Sequence, residues 1–181
     1  VCNAAGNEGN KDWKYITSPA DADSILTVGA VGVDSAMATF SRYGPSADGR
    51  VKPEVCAVGR QAVIINPETD VLRKGNGTSF ACPLLAGLAA CVWSAHPQET
   101  AMQIRQRIID SAHKKGAPDE RYGYGIPDAL EAAGYPTPTG LRGGEAERLK
   151  GGKKARVVLE DGQVVIECQG KKYSVLGVKI N

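Results

Sequence analysis

The chain has 181 residues, of which 42% are hydrophobic and 23% charged, a size and composition that suit one globular domain with an appendage. Its formal net charge of +2 at pH 7 is too small to predict a nucleic-acid partner. No apolar run is expected to be long enough to span a bilayer. The chain does not begin with Met, and its first residues resemble the middle of a strand, so we expect a processed or truncated piece of a longer protein.

Strands are predicted in the first half of the chain, where short apolar and β-branched runs are bounded by Gly, Asp, Ser or Pro. They cover residues 1–5, 25–33, 55–58 and 61–65, and a short strand or turn begins at 38–41. Residues 6–10 carry turn chemistry throughout, and 66–74 are predicted to form a loop.

Helices are predicted in the second half. The apolar, small-residue segment 79–95 predicts a buried helix. Residues 98–112 predict an amphipathic helix, because their apolar side chains recur at helical spacing. A short closing helix is predicted over 128–133.

The C-terminal part changes character. Residues 135–156 contain prolines, many glycines and a cluster of Arg and Lys without apolar periodicity, so we predict a flexible linker between a domain at 1–134 and a tail at 157–181. In the tail, two alternating runs flank Asp161-Gly162, which predicts a hairpin and, with a third run, a three-stranded β meander. It is similar to short C-terminal tails of some secreted bacterial proteins, and a generic β appendage is the alternative.

The five cysteines are Cys2, Cys56, Cys82, Cys91 and Cys168. Cys82 and Cys91 would lie about 13 Å apart along one helix, which is too far for a disulfide. No pair has a ligand spacing such as C-x-x-C, so small buried side chains are a better prediction than a disulfide framework or a metal site.

A tight turn followed by a serine stands immediately before the predicted buried helix. Gly75, Asn76 and Gly77 tolerate positive φ, and the turn leaves Ser79 at or near the helix N-terminus. Free amide groups and the helix dipole favour negative charge on an oxygen there. From local sequence alone, Ser79 is either a nucleophile or simply an N-cap.

Five motifs in order over residues 1–134 resemble the subtilisin-like serine proteases, the subtilases. They are Ala4-Ala5-Gly6-Asn7-Glu8-Gly9, the run 25–31 with Ala38-Thr39-Phe40-Ser41, Val51-Lys52-Pro53-Glu54-Val55-Cys56-Ala57-Val58-Gly59, Gly77-Thr78-Ser79-Phe80-Ala81-Cys82-Pro83 and the segment 122–129. The resemblance implies an α/β fold, namely the C-terminal half of a subtilisin-like parallel sheet flanked by helices, followed by the small β meander.

The resemblance also implies roles for single residues in a serine endopeptidase. Ser79 matches the nucleophile, and Asn7 matches the side chain that donates to the oxyanion. Thr78 precedes the serine as the motif requires, and it is implied to assist the oxyanion donors as one of the substrate-binding residues. Ala4, Ala5 and Gly6 match one wall of the primary specificity pocket, where small residues leave room for a large apolar side chain.

The acid and base of the family's Asp, His and Ser triad are missing. The chain has two histidines, His96 and His113, and both follow the serine. On a continuous helix His96 would be about 26 Å from Ser79, far beyond the roughly 3 Å that a general base needs. We therefore expect an N-terminal half, either a second chain or a lost part of this one, to supply Asp and His. The alternative is a non-catalytic, subtilase-like binding or structural protein.

Cofactors and location follow only from the resemblance. The chemistry requires no cofactor, but the family often holds structural calcium or sodium. Here that site would use loop carbonyls around residues 20–25 and a carboxylate that could be Asp48. The implied partners are a peptide or protein substrate and the N-terminal half, with no nucleic acid and no membrane span. The implied location is secreted or cell-surface, in a bacterium.

Overall fold

The computed structural model describes residues 1–66, 68–69 and 71–135 and the backbone of four strands beyond them. The chain divides into two compact units, Val1–Tyr135 and Pro136–Asn181. The segment 136–154, which includes most of the predicted linker, lies outside the described residues.

The first unit is built on a parallel three-stranded sheet. Its strands are β1 (Cys2–Ala4), β2 (Leu26–Val31) and β3 (Val55–Val58), in the order β1-β2-β3. Every residue of the central strand β2 is buried, as expected for a strand with neighbours on both edges and helices against it. The predicted parallel α/β architecture is confirmed.

An antiparallel hairpin follows the sheet and leads into the serine turn. It consists of β4 (Ala62–Ile65) and β5 (Leu72–Gly75), with Ile65 opposite Leu72 and Ala62 opposite Gly75. The prediction that residues 66–74 form only a loop is wrong. Arg73 and Lys74 in β5 are exposed and basic, so the sequence has no strand pattern there. The segment is a strand because it pairs with β4.

Three helices complete the first unit: α1 (Thr78–Ala95), α2 (Ala101–Asp110) and α3 (Ala129–Ala132). Helix α2 begins later than predicted, because Thr100 and Gln103 form a capping box at its N-terminus. Core side chains of all three helices join those of the sheet in one cluster, including Leu85, Val92, Ile104, Ile108 and Ala132.

Helix α1 corrects the expectation about apolar runs. Its 18 residues are long and apolar enough to cross a membrane by length and composition alone, at a rise of about 1.5 Å per residue. A core helix passes the same test, and α1 packs its buried Ala81, Leu85 and Val92 into the cluster shared with the sheet. Four of its 18 residues are buried, so much of this apolar helix is exposed in the described chain.

The second unit contains an antiparallel sheet in the order β6-β7-β8-β9. Its strands are β6 (Ala155–Glu160), β7 (Gln163–Cys168), β8 (Lys171–Ser174) and β9 (Lys179–Ile180). β6 begins at Ala155, inside the segment predicted as linker, and β9 adds a fourth strand to the three that were expected. The Asp161-Gly162 turn itself lies outside the described residues.

Candidate active site

The serine turn lies at the carboxyl end of the parallel sheet. Gly59 directly follows β3, and its carbonyl accepts a hydrogen bond from the Gly77 N–H at 2.8 Å. A Cβ on Gly59 would lie 2.6 Å from the Gly77 oxygen, so this close approach requires glycine. Asn7 follows the end of β1 by three residues, and in α/β sheets ligands bind beyond the carboxyl ends of the strands.

Ser79 is not the cap of its helix. The N-cap of α1 is Gly77, without any capping side chain, and the helix begins at Thr78. The side chain of Ser79 is exposed, while it lies in the first turn, where amide N–H groups lack intrahelical partners. The capping alternative left open by the sequence is therefore excluded, and the hydroxyl is available for other contacts.

Thr78 ties the Asn7 loop to the start of α1. The Asn7 Oδ1 accepts hydrogen bonds from the Thr78 N–H at 2.8 Å and from the Thr78 hydroxyl at 3.0 Å. The Thr78 oxygen in turn accepts from the Gly6 N–H at 3.1 Å. Because the Asn7 oxygen faces two donors, its Nδ2 group is left to donate elsewhere. Thr78 itself is 1% exposed.

The serine hydroxyl and the asparagine amide both come close to Gly77. A Cβ on Gly77 would lie 2.9 Å from Ser79 Oγ and 3.7 Å from Asn7 Nδ2. Both atoms are thus within 4 Å of one point, although the two residues lie 72 positions apart in the sequence. A substrate carbonyl beside Gly77 could be attacked by the hydroxyl while its oxygen accepts a hydrogen bond from the amide.

The predicted pocket wall continues from β1 into the Asn7 loop. Ala4 is half-buried at the end of the strand, and Ala5 is 2% exposed. Gly6 has a φ of 103°, a left-handed conformation that favours glycine.

Arg42 lies against Gly6, which the sequence did not predict. Its Cδ is 2.6 Å from the position that a Cβ on Gly6 would occupy. The guanidinium donates to Thr17 Oγ1 at 2.7 Å and pairs with Glu8, while its buried Nε has no hydrogen-bond partner within the described residues. The aliphatic part of the Arg42 side chain therefore partly fills the space beside Gly6. The one sequence feature that could have indicated this contact is the position of Arg42 directly after the Phe40-Ser41 motif.

Both histidines are engaged with backbone groups of residues 126–133. His96 is the C-cap of α1, at the opposite end of the helix from Ser79, and its Nε2 lies 3.1 Å from the Ala133 carbonyl oxygen. The ring of His113 accepts a hydrogen bond from the Ile126 N–H at 2.9 Å. Burial raises the pKa of the Cys82 thiol, one turn after Ser79, which disfavours the reactive thiolate form there.

Residues 1–66, 68–69 and 71–135 contain no group of three or more His, Cys, Asp or Glu side chains that could hold a metal ion. In the loop at 20–25, which the sequence suggested for calcium or sodium, several carbonyl oxygens accept hydrogen bonds from the chain's own basic side chains.

An exposed serine in the first turn of a helix, at the carboxyl end of a parallel sheet and close to an amide donor, is typical of α/β serine hydrolases. The model of the Peptidase_S8 (Subtilase) family matches residues 1–125. The chain belongs to the subtilase family.

Individual relatives agree with this family. The chain is 31% identical over 150 residues to Serine protease AprX of Bacillus subtilis (strain 168), in an alignment that covers 71% of this chain and 34% of the relative. It is 32% identical over 126 residues to the Halolysin-like extracellular serine protease Nep of Natrialba magadii, covering 70% of this chain and 21% of the relative.

Among solved structures, the chain resembles the Prenylagaramide maturation protease PagA, with a TM-score of 0.59 and 25% identity. The match covers 74% of this chain and 48% of that structure. The chain therefore spans less than half the length of each of these three relatives.

Proposed function

We propose that this chain is the C-terminal half of the catalytic domain of a serine endopeptidase. The observation that carries the proposal is the approach of Ser79 Oγ and Asn7 Nδ2 to one point beside Gly77. A nucleophile and an oxyanion donor are useful together only if a carbonyl carbon lies between them.

The reaction proceeds through an acyl-enzyme. Ser79 Oγ attacks the peptide carbonyl carbon as a histidine of the N-terminal half takes its proton, and an aspartate holds that histidine. The oxyanion accepts hydrogen bonds from Asn7 Nδ2 and from the Ser79 backbone N–H. The amine leaves with the proton from the histidine, and water then releases the acyl group by the same route. Buried Thr78 acts by positioning Asn7 rather than by touching substrate.

Two features of the described chain favour an N-terminal partner half. Among the described strands, β1 is at an edge of the parallel sheet, and an edge strand presents backbone N–H and C=O groups that a further strand can pair with. The outward face of α1 is apolar, with Leu84 56% and Trp93 45% exposed. An N-terminal half that adds strands beside β1 and helices over α1 would bury both and bring Asp and His to Ser79.

A non-catalytic, subtilase-like binding protein is the second candidate. It would need neither Ser79 nor Asn7, whereas both are present and come close to Gly77. A histidine and an aspartate in triad positions of the N-terminal half would decide for the enzyme.

A fluorophosphonate probe tests the proposal, because it bonds covalently to an activated serine. We expect it to label Ser79 in the complete catalytic domain, meaning this chain together with its N-terminal half. The isolated 181-residue chain should remain unlabelled, since without its base Ser79 keeps the reactivity of an ordinary alcohol. Ser79→Ala is the control and should abolish labelling.

Two results would contradict this expectation. Stoichiometric labelling of the isolated chain, lost in Ser79→Ala, would mean that a residue within 1–181 supplies the base. A folded complete domain that no probe labels would support the non-catalytic alternative.

Arg42 is expected to restrict the specificity pocket. Its stem fills space beside Gly6, so Arg42→Ala should raise kcat/KM for peptides with a large apolar residue before the scissile bond. We expect a gain of about tenfold relative to peptides with a small residue there, because each methylene accommodated in a pocket changes selectivity by about 10-fold or more. Comparing the two peptide series in steady-state assays measures it.

Glu8→Gln is the matched control for the pocket, because it removes the charge that faces Arg42 but leaves the arginine stem in place. It should keep the wild-type preference. An Arg42→Ala variant with the same ratio between the two peptide series would show that Arg42 lies outside the pocket.

We further propose a secreted or cell-surface, bacterial location and peptide or protein substrates, as the family resemblance implies. A nucleic-acid partner is not expected at a net charge of +2.

A further inference from the structure

The loop at residues 20–25 is held by side chains that reach its carbonyl oxygens from other segments. Four donors are involved, and three of them are cationic. Thr27 Oγ1 donates to the Ala20 oxygen at 2.5 Å, Arg50 Nη2 to Asp21 at 2.9 Å, Lys52 Nζ to Ala22 at 2.8 Å and Arg105 Nε to Ile25 at 2.8 Å.

Lys52 brings its charge into the interior beneath this loop. Its side chain is 0% exposed and that of its partner Glu54 is 3% exposed, with 2.7 Å between Nζ and Oε1. Glu54 also accepts hydrogen bonds from the Thr27 N–H at 2.7 Å and from Arg105 at 2.9 Å. The buried carboxylate thus has two cationic partners and a backbone donor, which a buried charge requires.

Arg50 occupies the outer side of the same loop. Its Nε donates to Asp48 at 2.7 Å, and its Nη1 lies 3.7 Å from Asp23. Two hydrogen bonds lower the pKa of Asp48 to about 2, and the one from Arg50 contributes more than the one from Ser46. The carboxylate that the sequence suggested as a metal ligand is therefore already paired with a guanidinium.

Calcium and sodium are bound in proteins by carbonyl and carboxylate oxygens. At this loop those oxygens face an ammonium and two guanidinium groups, whose positive charge repels a further cation at such distances. We infer that Arg50, Lys52 and Arg105 take the place of a metal ion at this loop, so that the loop is stabilised without bound calcium or sodium.

Thermal unfolding of the complete catalytic domain, with calcium at about 10 mM or with a chelator, tests the role of Arg50. Unfolding can be measured whether or not Ser79 is catalytic. The single variant Asp48→Ala should show the same calcium-dependent change in Tm as the wild type. Arg50→Ala should lower Tm by about 2–4 °C, and calcium should restore it, because Asp48, Asp23 and the Asp21 carbonyl become available. Calcium at about 10 mM exceeds the dissociation constants of extracellular calcium modules, which are about 10⁻⁴–10⁻³ M.

The chain offers a matched control in Arg60→Ala. Arg60 pairs with Asp34 elsewhere on the surface, and its exposure (36%, with 59% for Asp34) equals that of Arg50 and Asp48. This variant should show no restoration by calcium, and neither should the double variant Arg50→Ala with Asp48→Ala.

Two outcomes would overturn the inference. One is a calcium-dependent rise in the wild-type Tm that Asp48→Ala removes, since the loop would then bind calcium despite Arg50. The other is an Arg50→Ala variant whose response to calcium is the same as that of the wild type, because Arg50 would then not stand in for a cation.

Discussion

Ser79→Ala in the complete catalytic domain is expected to lower kcat by about 10⁶-fold, the size of the loss when the nucleophile of subtilisin is removed. The hydroxyl is the group that forms the acyl bond in the proposed mechanism, and burial raises the pKa of the neighbouring Cys82 thiol. Peptide hydrolysis should not disappear entirely. The oxyanion donors and substrate binding alone retain a rate on the order of 10³–10⁴ over water.

Active-site titration and steady-state turnover of a fluorogenic peptide measure this loss. Ser94→Ala is a suitable control, because Ser94 is an exposed serine near the other end of the same helix, and it should keep wild-type kcat. A loss of less than about 100-fold in Ser79→Ala would remove Ser79 from the covalent step.

Asn7→Ala is expected to lower kcat by about 10²–10³-fold with little change in KM, which is the loss measured when the corresponding kind of donor is removed from subtilisin. The amide donates to the oxygen only as negative charge develops on it, so the ground-state complex is affected little.

Asn7 also has a structural task, because its oxygen accepts two hydrogen bonds from Thr78. Asn7→Asp separates the two roles, since it keeps an acceptor for Thr78 but replaces the Nδ2 donor by a charged oxygen. We expect Asn7→Asp to lose at least as much kcat as Asn7→Ala while retaining more of the wild-type Tm. Asn10→Ala, at an exposed position in the same loop, serves as the control.

Should Asn7→Asp keep wild-type turnover, the role of Asn7 would be limited to holding Thr78. A drop in kcat that follows Tm across the three variants would lead to the same conclusion.

Much of the first unit could be predicted from local sequence. Strands β2 and β3 are β-branched or small-residue runs bounded by turn residues, and helix α1 is an apolar segment behind a glycine turn. These signals act over a few residues, so they need no knowledge of the rest of the chain. Helix α2 begins at Ala101 rather than at residue 98, because Thr100 is its N-cap and forms a capping box with Gln103.

Strand β5 shows what local sequence could not supply. Its exposed, basic residues have no strand pattern, and its backbone is extended because it pairs with β4. The surroundings of α1 could not be predicted from local sequence either. Its length and apolar composition suit both a helix in a protein core and a helix in lipid.

The sequence by itself determined which residues could carry chemistry: Ser79 and Asn7 stand in motifs whose turns and order are visible in one dimension. Only the tertiary structure decided how they relate. It brought the Asn7 amide close to Ser79 through Thr78, 71 positions away, placed Arg42 against Gly6, and joined Lys52, Glu54 and Arg105 under one loop. Turn and helix preferences are short-range properties of the backbone, whereas these contacts depend on which distant segments the buried sheet brings together.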